Sequence, residues 1–149
     1  MSPSPALLRW REAGQRFAFA GHEIFCREEG AGEPLLLVHG YPTASWDWHA
    51  IWPALVQRYR LLAPDLLGFG FSAKPRAHAY TVMEQADLVE ALALARGITR
   101  AHLLAHDYGD TVAQELLARS NAGGPLRLHT LTLLNGGIFP EMHRARLIQ

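Results

Sequence analysis

Apolar and polar positions change period several times along this chain, and each change marks an element. Arg16–Ala20 and Glu23–Arg27 alternate on either side of Gly21-His22, the pattern of a hairpin. Pro34–Val38 is an unbroken apolar run that ends in His39-Gly40, as in a strand buried on both faces. Trp46–Tyr59 reads as helix in two pieces, with Pro53 opening the second, where its missing N–H costs nothing. Arg60–Pro64 is the next strand, and Asp65 begins a glycine-rich loop that runs to Pro75. Thr81 and Glu84 have capping-box spacing, and Met83, Leu88, Ala91 and Leu92 carry a helical stripe to about Ala95. Ala101–Ala105 is a strand, followed by a tight turn at His106–Gly109 and a helix from about Asp110 to Ser120. Asn121–Pro125 is a loop, Leu128–Leu134 a further strand, and Asn135–Gln149 has no clear partner element. Strands alternating with helices predict an α/β fold, a mostly parallel sheet with helices on both faces.

Composition narrows the class. The chain has 149 residues with 49% hydrophobic and 19% charged, enough for one packed domain and too apolar for disorder. Lys+Arg and Asp+Glu are both 14, so no broad basic field is present to hold nucleic acid or an anionic membrane. No apolar run approaches the roughly 18 residues of a membrane span. Cys26 is the only cysteine, which excludes an intrachain disulfide and a cysteine-based zinc site. The expectation is a soluble, cytoplasmic protein that works on a small molecule without metal or cofactor.

The segment Leu103-Leu104-Ala105-His106-Asp107-Tyr108-Gly109-Asp110 carries the chemistry. Ala105 and Gly109, two before and two after Asp107, are the small residues that a sharp strand–turn–helix needs. Asp107 would project from the apex beside free backbone N–H groups, the geometry of a nucleophile elbow with a carboxylate in the usual serine position. A carboxylate can attack as a covalent nucleophile, and helix N–H donors favour its ionised form. The competing reading is an ordinary helix N-cap. Asp110, one turn later, is a weaker candidate that suits a dipole partner.

A second motif precedes it. Leu36-Leu37-Val38-His39-Gly40-Tyr41-Pro42-Thr43 places an HGxP sequence at a strand end. Gly40 allows a sharp turn, and Pro42 stiffens the rest of the loop, in a conformation open to a cis bond. The backbone N–H of Tyr41 would then face a developing oxyanion, with the Tyr108 N–H as its partner. His39 lies on the same loop and reads as structural, bonded to loop backbone.

With Asp65-Leu66-Leu67-Gly68-Phe69-Gly70-Phe71-Ser72 between them, these motifs resemble the α/β-hydrolase superfamily, in particular its aspartate-nucleophile branch of epoxide hydrolases and haloalkane dehalogenases. His106–Asp110, Val112–Leu117 and Asn135–Glu141 look most like the mesoderm-specific transcript proteins within it. The resemblance implies hydrolysis of an epoxide or alkyl halide through an ester on Asp107. Two positions depart from the dehalogenases: Tyr41 and Tyr108 stand where those enzymes use Asn and Trp to hold the halide. The family's order is nucleophile, cap, acid, histidine. The chain is therefore expected to be the N-terminal part of one hydrolase domain, residues 1–149, with a cap beginning near 138–149. The acid is expected beyond Gln149, since Asn135 stands where some dehalogenases carry theirs. His129 and His143 are poor substitutes for the base. Alone, such a chain is expected to be inactive and to associate through an uncovered sheet edge.

Three other classes are weighed against this. Gly68-Phe69-Gly70-Phe71-Ser72-Ala73 fits a dinucleotide fingerprint, but Lys74-Pro75 blocks the helix it must open. His102 and His106 have helical zinc spacing but fall on a predicted strand, about 13 Å apart. A non-catalytic interaction protein that has kept the fold is the main alternative.

Overall fold

A computed structural model of the chain describes residues 3–136. Helix α1 (Pro5–Glu12) leads into a hairpin of β1 (Gln15–Phe19) and β2 (His22–Glu29), then β3 (Glu33–Val38). A 3-10 turn (Ser45–Ala50) and the short α2 (Trp52–Leu55) precede β4 (Tyr59–Pro64). The order closes with α3 (Val82–Ala95), β5 (Arg100–His106), α4 (Tyr108–Asn121) and β6 (Arg127–Leu134).

The six strands form one sheet in the order β1-β2-β4-β3-β5-β6. β3 pairs in parallel with both β4 and β5, and β6 continues in parallel beyond β5. The hairpin adds antiparallel to β4 through β2. The unbroken apolar run of β3 has a direct cause. Leu36 and Val38 pack on one face among residues of α3 and α4, while Leu35 and Leu37 pack on the other with Trp48 and Trp52. A strand at the centre of a three-layer sandwich has no solvent face.

Three local expectations need correction. First, the periodic pattern does not reveal α1, although Ser4 accepts the Leu7 N–H through its hydroxyl (3.2 Å) and Pro5 begins the helix. The helix is short, and tertiary contact holds it. Trp10 is buried edge-on to Trp52 (4.9 Å), and the Arg27 guanidinium lies 4.8 Å from the Trp10 ring centre and 5.3 Å from that of Trp52. Second, Trp46–Tyr59 is helical in two pieces as expected, but the first is a 3-10 turn and the second stops short of Tyr59. α2 starts at Trp52, one residue before Pro53, and ends at Leu55, because the segment serves mainly to lay Trp48 and Trp52 on the sheet. Third, α4 begins at Tyr108 rather than Asp110, with Asp107 as its N-cap. The expected cap region at 138–149 and His143 lie outside the described residues.

Candidate active site

The site sits where β3 and β5 end side by side. Val38 pairs with Ala105, so the two loops beyond them leave the same edge of the sheet together. Ligands of open α/β sheets bind beyond the carboxyl ends of the strands for this reason.

Asp107 occupies the single residue between β5 and α4, with φ 54° and ψ −117°. A side chain at positive φ is strained by its own Cβ, and such positions persist only where the surroundings impose them. The surroundings here are close-packed glycines. A Cβ on Gly40 would lie 2.6 Å from the Asp107 Cβ, and one on Gly109 would lie 2.4 Å from the Val38 carbonyl oxygen. Both glycines are therefore required by backbone approach rather than by their own dihedral angles. The Asp107 carboxylate turns toward the neighbouring loop, where its Oδ1 accepts the Tyr41 N–H at 2.8 Å. The Tyr41-Pro42 peptide bond is cis.

His39 is fully buried beneath this loop. Its Nδ1–H donates to the Gly40 carbonyl (2.9 Å) and its Nε2 accepts the Leu66 N–H (2.9 Å). Those partners fix a neutral tautomer, and burial holds its pKa below the ordinary histidine value. Both ring nitrogens are thus committed to tying the β3 and β4 loops together.

Three aromatic rings gather on the loops beside Asp107. Phe69 meets Tyr41 edge-on at 6.2 Å and stacks against Tyr108 at 6.1 Å. Tyr41 is 60% exposed, whereas Tyr108 is half-buried and its phenol is pushed above the usual range by burial, with Glu84 adding to the effect.

Two buried polar groups that sequence reasoning missed organise the loop carrying Phe69. Asp65 accepts the Ser45 N–H (2.7 Å) and the Phe71 N–H (2.6 Å). Gln85 donates to the Leu67 carbonyl (2.9 Å) and accepts the Leu67 N–H (3.0 Å). An acidic residue directly before a glycine-rich loop is the signal that could have revealed Asp65. Asp110 is also fully buried, and burial raises its pKa above the usual carboxylate range.

The competing motifs resolve differently. The Gly68–Ala73 segment forms turns, and the next helix starts only at Val82. His102 bonds to Thr130 (2.8 Å) and Glu33 (3.0 Å) and stacks on His129 at 5.6 Å, near the opposite ends of β5 and β6 from Asp107. No group of three His, Cys, Asp or Glu side chains among the described residues is placed to hold a metal ion. No helix among them is long and apolar enough to cross a membrane.

Comparison with known proteins agrees with this geometry. The human mesoderm-specific transcript homolog protein is 50% identical over 98% of this chain, which covers 46% of that protein. A haloalkane dehalogenase of Bradyrhizobium diazoefficiens is 37% identical over 70% of the chain and 34% of its own length. The solved structure of the epoxide hydrolase CorEH superposes with a TM-score of 0.76 at 26% identity, covering 91% of this chain and 47% of that one. The chain thus spans between a third and about half the length of these relatives. The family model for the alpha/beta hydrolase fold matches residues 33–148, and the chain belongs to that family.

Proposed function

We propose that Asp107 is a covalent nucleophile that opens a small neutral electrophile, an epoxide or an alkyl halide, and forms an alkyl ester. The observation that carries this reading is the strained Asp107 backbone, φ 54°, at the junction of β5 and α4. Strain of this kind costs about 1–3 kcal/mol and is retained where a site needs it. In the step, a carboxylate oxygen forms a bond to the substrate carbon as the carbon–oxygen or carbon–halogen bond breaks, and the leaving atom keeps the electron pair. A halide departs as the anion, whereas an epoxide oxygen stays on the adjoining carbon and takes a proton from water; Tyr41 and Tyr108 in place of the halide-holding residues of dehalogenases favour the epoxide. Hydrolysis of the ester then develops an oxyanion, and the Tyr41 and Tyr108 N–H groups are its proposed donors.

Deacylation needs a base, and His39 cannot serve because both its nitrogens are engaged. A form that brings no other base to the ester is expected to be esterified once and not to turn over. A cytoplasmic setting suits a chain whose single cysteine is buried and unpaired. The outer edge of β6, which has no partner strand among the described residues, is the expected surface for self-association.

The test is mass spectrometry after incubation with a 1,2-epoxide or a haloalkane. The reading expects one adduct, on the peptide containing Asp107, and none in Asp107→Asn. In a longer form carrying the base, ¹⁸O-labelled water should enter the Asp107 carboxylate before it enters product. Label in product alone would exclude the ester. An interaction protein that keeps only the fold gives no adduct with any electrophile.

A further inference from the structure

Asp110 is a costly residue where it stands. It is the third residue of α4, a place where acidic side chains ordinarily face solvent or their own helix N-terminus. Here it is fully buried, and its Oδ2 has no hydrogen-bond partner among the described residues. Its Oδ1 instead reaches out of the helix to accept the Leu134 N–H at 3.4 Å. The Gly136 N–H also favours its charged form, and a Cβ on Gly136 would fall 2.1 Å from Oδ2. Between Leu134 and Gly136, Asn135 adopts φ 58°.

These contacts close a ring around Asp107. The Asp107 N–H donates to the Leu134 carbonyl at 3.0 Å, and the Asp110 N–H donates to the Asp107 carbonyl at 3.0 Å. Leu134 is the last residue of β6 in register with β5, opposite His106. The Leu134 residue is therefore gripped through its carbonyl by the backbone of Asp107 and through its N–H by the side chain of Asp110. A parallel ladder has nothing further to offer at its end, and the carboxyl extends it by one contact.

We propose that Asp110 is a positioning residue that locks the end of β6 to the first turn of α4, and thereby holds the strained backbone of Asp107 and the Asn135-Gly136 turn beside it. Packing alone would be met by an apolar side chain without the cost of a buried carboxyl. The structural lock is independent of the reaction, while its effect on ester formation rests on the reading of Asp107 as nucleophile.

The experiment uses Asp110→Ala and Asp110→Asn in the whole chain, with amide hydrogen exchange read residue by residue. Losing one such contact is expected to speed exchange at Leu134 by about tenfold in the Ala variant. The Asn variant keeps one acceptor oxygen and puts an NH2 donor in place of the other, so a smaller rise, about threefold, is expected there. Amides of Ala113–Leu117 in the middle of α4 should stay at wild-type rates. The maximal rate of Asp107 ester formation should fall in the same order, with the half-saturating electrophile concentration unchanged. Asn is close in shape to Asp and avoids burying a charge, so that variant folds even if the Ala variant does not. Wild-type exchange at Leu134 in the Asn variant would overturn the lock, as would a rise shared equally by all of α4. If exchange changes as expected but no chain is esterified, the lock stands and the nucleophile reading falls.

Discussion

The backbone N–H of Tyr41 donates to the Asp107 carboxylate across 2.8 Å, joining two loops whose residues are 66 apart in the chain. The donor expected to face an oxyanion is thus occupied by the carboxylate itself in the resting structure. That hydrogen bond fixes the direction in which the carboxylate points. On the proposal that Asp107 is esterified, the ester carbonyl oxygen would inherit that donor.

Glycine is ordinarily the less stable choice relative to alanine, but position 107 should reverse the order. Asp107→Gly relieves the positive φ, whereas Asp107→Ala retains it. Denaturant unfolding should find the Gly variant more stable than the Ala variant by about 1–3 kcal/mol. Neither should be alkylated.

Gly109→Ala inserts a methyl group against the Val38 and His39 carbonyl oxygens, at 2.4 and 2.6 Å. Neither oxygen can move without shifting β3, so the variant should lose about 3 kcal/mol, near the upper end for overpacking. Thermal unfolding followed by circular dichroism measures it. An Ala variant with an unchanged midpoint would contradict the packing described.

His39 makes stability fall in acid. Burial lowers its pKa in the folded state, so the unfolded chain binds the proton more tightly. Its contribution is complete above about 6.5, the unfolded value, and is lost as pH falls from there through the folded value. The stability difference between wild type and His39→Gln should shrink across that window, with a limiting slope of about 1.4 kcal/mol per pH unit. Denaturant titrations from pH 8 to pH 5 give the comparison.

Asp110 has the opposite sign. Its folded pKa is raised by burial, so the folded chain holds the proton more tightly than the unfolded one. Its contribution is greatest below the ordinary carboxylate range and declines as pH rises through the folded value. Asp110→Asn should remove that decline and be relatively more stable on the alkaline side, measured in the same titrations.

Trp10 anchors α1 through Trp52, Arg27 and a hydrogen bond from its indole N–H to the Ser45 hydroxyl (3.3 Å). Trp10→Ala should cost about 3–5 kcal/mol and expose Pro5–Glu12 to protease before the rest of the chain. Limited trypsin digestion, cutting at Arg9 and Arg11, reads this directly.

Periodicity and residue spacing were enough to specify most of the elements and both motifs. The unbroken run at Leu35–Val38 specifies a strand without a solvent face, since only a central strand buries every side chain. Ala105 and Gly109 specify a sharp turn at Asp107, because no larger residue fits a helix start so close to the neighbouring strand. These are local constraints, and local spacing displays them. α1 escapes such a reading because eight residues carry little intrinsic helicity, and its stability comes from Trp10 meeting Trp52 and Arg27 across the fold. The commitment of both His39 nitrogens, the burial of Asp65 and the reach of Asp110 to Leu134 are likewise illegible in the chain. Each depends on a partner brought near by the sheet, and a polar residue reads the same in a sequence whether it faces water or the backbone of a distant strand. It took the assembled sheet to make His39 a pillar, Asp65 a loop anchor and Asp110 a partner of the Leu134 backbone.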